Sequence, residues 1–142
     1  MLEHLPQQPP FRFFDEVIYA DAERVWGAYT FQADEYFYAG HFPGQPVTPG
    51  VILIECMAQI GLLGLGIQQM LSQGAGYLPP FAFSSSEVEF LQPVYPGERV
   101  EVEGEKVYFR LGKLKVKVRM WNAEGDLVAK GTLAGLMKRD NG

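Results

Sequence analysis

The chain has 142 residues, 47% of them hydrophobic and 13% aromatic, which excludes a disordered polymer and suits one domain, residues 1–142, around a single core. Twelve Lys and Arg against 17 Asp and Glu leave a net charge of −5, so no overall positive field exists to gather nucleic acid, and none is expected as a partner. The single cysteine, Cys56, cannot close an internal disulfide, and the opening MLEHLPQQPP has neither the basic nor the apolar run of a secretory leader, so a cytoplasmic location is expected.

In chain order, the LPQQPP segment favours extended backbone through its fixed proline φ angles, and FRFFDEVIYA (11–20) is aromatic and β-branched enough for a strand. RVWGAYTFQ (24–32) alternates Val25, Gly27, Tyr29 and Phe31 against Arg24, Trp26, Ala28, Thr30 and Gln32. Across the polar turn Asp21-Ala22-Glu23 it makes a hairpin with the first strand.

VILIECMAQIGLLGLGIQQML (51–71) is long enough for a substantial helix and is apolar nearly all round, so it must be buried on most sides. A membrane span is its rival by length, but Glu55, Gln59, Gln68 and Gln69 make insertion costly, and no membrane insertion is expected. Thr48 suits the N-cap, Pro49 the first helical position, and Gly74 and Gly76 the stop. Gly61, Gly64 and Gly66 each weaken the helix by about 1 kcal/mol relative to Ala, which points to a sheet, a second helix or a ligand chain packed against that backbone.

Four more strands are expected in FAFSSSEVEFLQPV, RVEVEGEKVYF, KLKVKVRMWN and LVAKGTLAGLM, separated by turn chemistry at Tyr-Pro-Gly, Arg-Leu-Gly and Ala-Glu-Gly-Asp. In the third, Lys113, Lys115, Lys117 and Arg119 alternate with Leu114, Val116, Val118 and Met120, so one face is wet. Two strands, one buried helix and four antiparallel strands make an α+β fold, with a sheet curled about the helix.

Between hairpin and helix lies AGHFPGQPVTPG, with three prolines and three glycines in 12 residues: a constrained path to a helix N-terminus. It carries His41, and 14 residues later comes Glu55, the only carboxylate of the helix. The helix start at Gly50 offers unpaired N–H groups and partial positive charge suited to a developing oxyanion. Imidazole, carboxyl and oxyanion donor thus fall in one neighbourhood; an apolar setting would raise the Glu55 pKa and keep it a proton donor. Each residue also has a plainer reading: His41 as a surface or structural loop histidine, Glu55 as a complement to the helix dipole, Cys56 as core.

The stretch GHFPGQPVTPGVILIECMAQ resembles the active-site segment of bacterial 3-hydroxyacyl-(acyl carrier protein) dehydratases, matching Gly40-His41-Phe42-Pro43, Pro46, Pro49-Gly50-Val51, Glu55 and Ala58-Gln59 in the family's spacing. Leu5-Pro6, Pro10-Phe11, Asp15 and Val17 resemble its N-terminal signature, and FLQPVYPG (90–97) its later Pro-Gly turn, although the customary His, Arg and Tyr before Phe11 are replaced by Gln7, Gln8 and Pro9.

The resemblance implies a hot-dog fold, a long antiparallel sheet wrapped around one central helix. It implies a homodimer with shared sites, His41 from one subunit and Glu55 from the other, with a trimer of dimers as a common higher assembly. His41 would take the C2 proton, the Gly50 N–H would steady the carbonyl oxygen, Glu55 would help expel the C3 hydroxyl, and Gln59 would either hold the carboxyl or serve as a plain core amide. No metal or organic cofactor is implied, and the substrate partner is an acyl carrier protein.

The acyl chain is expected beside the helix, where Gly61 and Gly64 would leave room. Rival readings are a hot-dog thioesterase and a non-catalytic partner subunit. Lys113, Lys115, Lys117 and Arg119 are either a docking patch for an acidic carrier or a solvated strand face.

Overall fold

The computed structural model describes residues 1–40, 44–74 and 79–137. Six antiparallel strands, β1 (Glu16–Ala20), β2 (Arg24–Thr30), β3 (Phe81–Phe90), β4 (Arg99–Arg110), β5 (Lys113–Trp121) and β6 (Leu127–Met137), form one sheet in the order β1-β2-β4-β5-β6-β3. One helix, α1 (Gly50–Ser72), lies against its concave face; it is α-helical over Gly50–Met57 and Gly64–Ser72, and winds more widely, as π-helix, over Ala58–Leu63. This is the hot-dog arrangement.

The register explains why the helix stays there. Val25, Gly104, Val118, Gly131 and Val88 face one another across β2, β4, β5, β6 and β3, and Val25 and Val118 are buried. The neighbouring row, Trp26, Glu103, Arg119, Lys130 and Glu89, points to the other side because successive residues alternate faces. In β5, Leu114, Val116, Val118 and Met120 are buried and the four cations between them are not, as the alternation predicts. The helix is long and apolar enough to cross a membrane, but most of it is covered by protein.

Gly61 answers the question of what packs against the helix. A Cβ there would stand 2.7 Å from Val118 Cγ1, and one on Gly104 would stand 2.6 Å from the Gly61 Cα. Helix and sheet backbones meet at this point. Gly64 is likewise filled, by Phe14 and Val25. The expected room for an acyl chain beside Gly61 and Gly64 is therefore taken by the sheet and by Phe14.

Two further expectations change. The first strand begins at Glu16 rather than Phe11, because Phe13 and Phe14 turn into the core instead of pairing along the edge. The cap position falls on Pro49, whose carbonyl accepts from the Ile52 and Leu53 N–H groups, while the Thr48 hydroxyl is engaged by Tyr38 instead of capping. At the other end Gly74 takes φ +78°, suiting its stop role; Gly76 lies outside the described residues.

Because the Gly61–Gly104 approach is backbone against backbone, neither partner can swing aside. Gly104→Ala is expected to destabilise the protein by about 1–3 kcal/mol, read as a lowered urea midpoint.

Candidate functional site

The site is organised around Gln59, one helical turn beyond Glu55 and wholly buried. Its Oε1 accepts from the Phe13 N–H at 2.6 Å, and its Nε2 donates to the Phe11 carbonyl at 3.0 Å and to Glu55 Oε2 at 2.9 Å. The Phe13 N–H can only donate, so the amide oxygen must face it and the NH₂ must face Glu55. The amide is thereby locked in one orientation, and one carboxylate oxygen of Glu55 is held as an acceptor. Gln59 is thus a core residue whose amide also donates to the Glu55 carboxyl.

Glu55 is half-buried. Burial raises its pKa above the ordinary carboxylate range, and the Gln59 hydrogen bond, which favours the charged form, opposes that rise without cancelling it. A carboxyl so placed keeps its proton to higher pH than an exposed one does. Cys56, next in sequence, is fully buried; its Sγ donates to the Phe13 carbonyl at 3.4 Å, and burial pushes its thiol pKa up, so it is a core residue as expected.

Gly50 opens the helix, and the first N–H groups of a helix have no acceptor within it. The Phe90 ring lies over Gly50 so closely that a Cβ would stand 3.1 Å from it. A cavity of about 420 Å³ lies here, lined by Thr48, Gly50, Leu53, Phe90, Leu91, Gln92 and Pro93. On the adjacent side, Val51 and Ile54 with Phe83 to Ser86 of β3 line another of about 340 Å³. His41 lies outside the described residues, so Glu55, Gln59 and Gly50 are the predicted site residues the structure places, all on the N-terminal half of α1. Among the described residues, no three His, Cys, Asp or Glu side chains gather as metal ligands.

Two contributors were not legible beforehand. The backbone of Phe11 and Phe13 reaches Gln59 across 46 to 48 residues of sequence, and a buried amide in an apolar helix was the one hint that some backbone must come to meet it. The Tyr38 and Thr48 hydroxyls share a hydrogen bond of 2.6 Å, both side chains being buried.

Comparisons with known proteins bear on the family and the fold. The model of the FabA-like domain matches residues 5–136. The chain is 37% identical over 138 residues to the 3-hydroxyacyl-(acyl-carrier-protein) dehydratase FabZ of Thermus thermophilus, covering 97% of this chain and 94% of that protein. It is 35% identical over 136 residues to the dehydratase of the same name from Herpetosiphon aurantiacus, covering 94% and 92%. Among solved structures it resembles a chain of the dehydratase heterocomplex ApeI:P from Xenorhabdus doucetiae, with a TM-score of 0.79 over 96% of this chain and 90% of that one; at 15% identity this is a likeness of fold.

The raised Glu55 pKa has a consequence for stability. Between the unfolded and folded pKa values the native state binds more protons, so the raised pKa takes nothing from stability below both values and takes progressively more as pH rises through that window. Glu55→Gln is therefore expected to be more stable relative to the unmodified chain at pH 7 than at pH 4, measured by urea unfolding at both; an equal difference at the two values would mean that the pKa is not raised.

Proposed function

The chain belongs to the FabA-like family, and we infer from that membership that it is a 3-hydroxyacyl thioester dehydratase of fatty-acid biosynthesis, its substrates linked to acyl carrier protein. It removes water across C2 and C3 and leaves a 2-enoyl thioester. The assignment of residues to steps is our reading. His41 takes the C2 proton, the Gly50 N–H stabilises the charge that builds on the thioester oxygen, and Glu55 delivers its proton to the departing C3 hydroxyl. Gln59 keeps the carboxyl aimed. The carrying observation is Glu55 itself, a carboxyl with its pKa raised by burial and one oxygen fixed by a locked amide, the state a general acid needs.

The shared-site homodimer is supported by the edge of the sheet. β3 is an edge strand whose residues are mostly exposed, Phe83 and Phe90 among them, and Val51 beside it on α1 is 73% exposed. An unpaired edge strand with two exposed phenylalanines next to the site invites a second copy of the chain. Pairing there would bring another chain toward Glu55; a trimer of dimers is compatible with it. We also place the protein in the cytoplasm, where its carrier-linked substrates are made.

For the acidic carrier, the sheet divides the expected basic row in two. Lys117 pairs with Glu105 across the sheet and Arg119 with Glu103, so those cations sit against carboxylates. Lys113 and Lys115 instead lie opposite Arg110 and Tyr108 on one side and Leu136 and Ala134 on the other. Six cations and no carboxylate occur from Lys106 to Arg119, and the Arg110 guanidinium stacks 4.5 Å over Tyr108. The docking surface is accordingly the Arg110, Lys113 and Lys115 end of β4 and β5.

Absorbance-monitored dehydration of a short 3-hydroxyacyl thioester tests the assignment. His41→Ala and Glu55→Gln are each expected to lower turnover by about 10²–10⁴-fold while remaining folded, and undiminished rates in either would remove that residue from the chemistry. The double variant Lys113→Glu, Lys115→Glu is expected to lose about tenfold in kcat/KM on a carrier-linked substrate and nothing on a free thioester; equal loss on both would rule out carrier docking there.

A further inference from the structure

The chain on either side of the His41 segment is tied together by two hydroxyls. Tyr38 ends a short turn (Tyr36–Tyr38) that is itself anchored to β2: Tyr29 donates from its hydroxyl to Glu35 Oε1 at 2.9 Å, the Gln32 N–H donates to Glu35 Oε2 at 2.9 Å, and the Tyr38 N–H donates to the Glu35 carbonyl at 3.1 Å. Thr48 is held twice, through its N–H on the Val94 carbonyl at 2.8 Å and through its hydroxyl on Tyr38 at 2.6 Å. The two side chains are 5% and 4% exposed, so their bond is shielded from water. Between Thr48 and the Gly50 N–H stands only Pro49, with φ −58°, a residue whose ring leaves that angle little freedom.

The Pro49 carbonyl, which shares a peptide plane with the Gly50 N–H, accepts from the Ile52 and Leu53 N–H groups at 3.0 and 3.1 Å, so the direction of that N–H is set by these bonds together with the point at which Thr48 is pinned. On the other side of Gly50, the Phe90 ring prevents the backbone from moving toward β3. A threonine kept from capping the helix and spent on a phenol ten residues earlier stiffens the approach to the helix, not the helix itself.

We infer that Tyr38 and Thr48 are positioning residues for the dehydration, their hydroxyl pair fixing the Gly50 N–H where the thioester oxygen gains charge. This rests on the dehydratase reading and on the role given there to Gly50. A donor that acts as charge develops affects the chemical step more than substrate binding.

The experiment compares Tyr38→Phe, Thr48→Val and Thr48→Ser with the unmodified chain on a free short-chain 3-hydroxyacyl thioester, each variant being checked for native circular dichroism at the assay temperature. Tyr38→Phe and Thr48→Val are expected to lower kcat about tenfold with KM within about twofold, and Thr48→Ser, which keeps the hydroxyl, to restore kcat. Full kcat in Tyr38→Phe and Thr48→Val, or a loss in Thr48→Ser as large as in Thr48→Val, overturns this inference alone. No turnover by the unmodified chain overturns the dehydratase reading and this inference with it.

Discussion

An almost uniformly apolar helix has to be enclosed, and enclosing α1 sets the terms for the rest of the molecule. One flat sheet face cannot cover a cylinder. The strands from β1 round to β3 therefore curve about the helix, and the backbones are drawn together where Gly61 meets Gly104. The Phe13 and Phe14 side chains are buried in the core, Phe14 between Gly27 of β2 and Gly64 of α1, and the chain ahead of β1 gives up strand pairing to place them there. The hydrophobic gain from covering these rings and the helix outweighs a few more ladder hydrogen bonds on an edge.

Enclosure also makes every polar group on the helix expensive, and the protein meets that cost with a small connected network. Gln59 would be strongly destabilising in this interior if any of its amide atoms lacked a partner. Its partners come from the crossing Phe11–Phe13 backbone and from Glu55, so one amide couples the closing of the core to the orientation of the carboxyl. The same low-polarity surroundings that require the network raise the Glu55 pKa. The network and the raised carboxyl pKa have one cause here. The helix is wound as π-helix over Ala58–Leu63, where both Gln59 and the Gly61 contact lie, consistent with a local geometry adjusted to serve both.

On the opposite face of the sheet charges are sorted rather than scattered. Glu103, which is buried, takes Arg24 at 3.0 Å, and Arg119 lies 3.9 Å from it, while Arg24 also reaches Glu105 at 3.4 Å. These pairs neutralise the middle of the face and leave net positive charge toward the β4–β5 turn. A chain with a net charge of −5 thereby keeps one local basic region, which is the arrangement that orients an acidic partner without attracting anions generally.

What the sequence determined by itself was the order of elements and the buried helix, and it named the candidate residues of the site. An all-round apolar run of 21 residues, β5's strict alternation and the spacing of His41, Gly50, Glu55 and Gln59 are local signals, readable because each depends on residues close in the chain. What only the tertiary structure decided were relations between distant residues. It filled Gly61 and Gly64 with Val118, Gly104, Phe14 and Val25 rather than leaving them open. It moved Thr48 from cap to staple by bringing Tyr38 within reach, and it gave Gln59 its orientation through a backbone N–H 46 residues away. Propensity and spacing carry no information about which distant group will arrive at a buried donor or acceptor; that is set when the chain closes and each such group must find a partner.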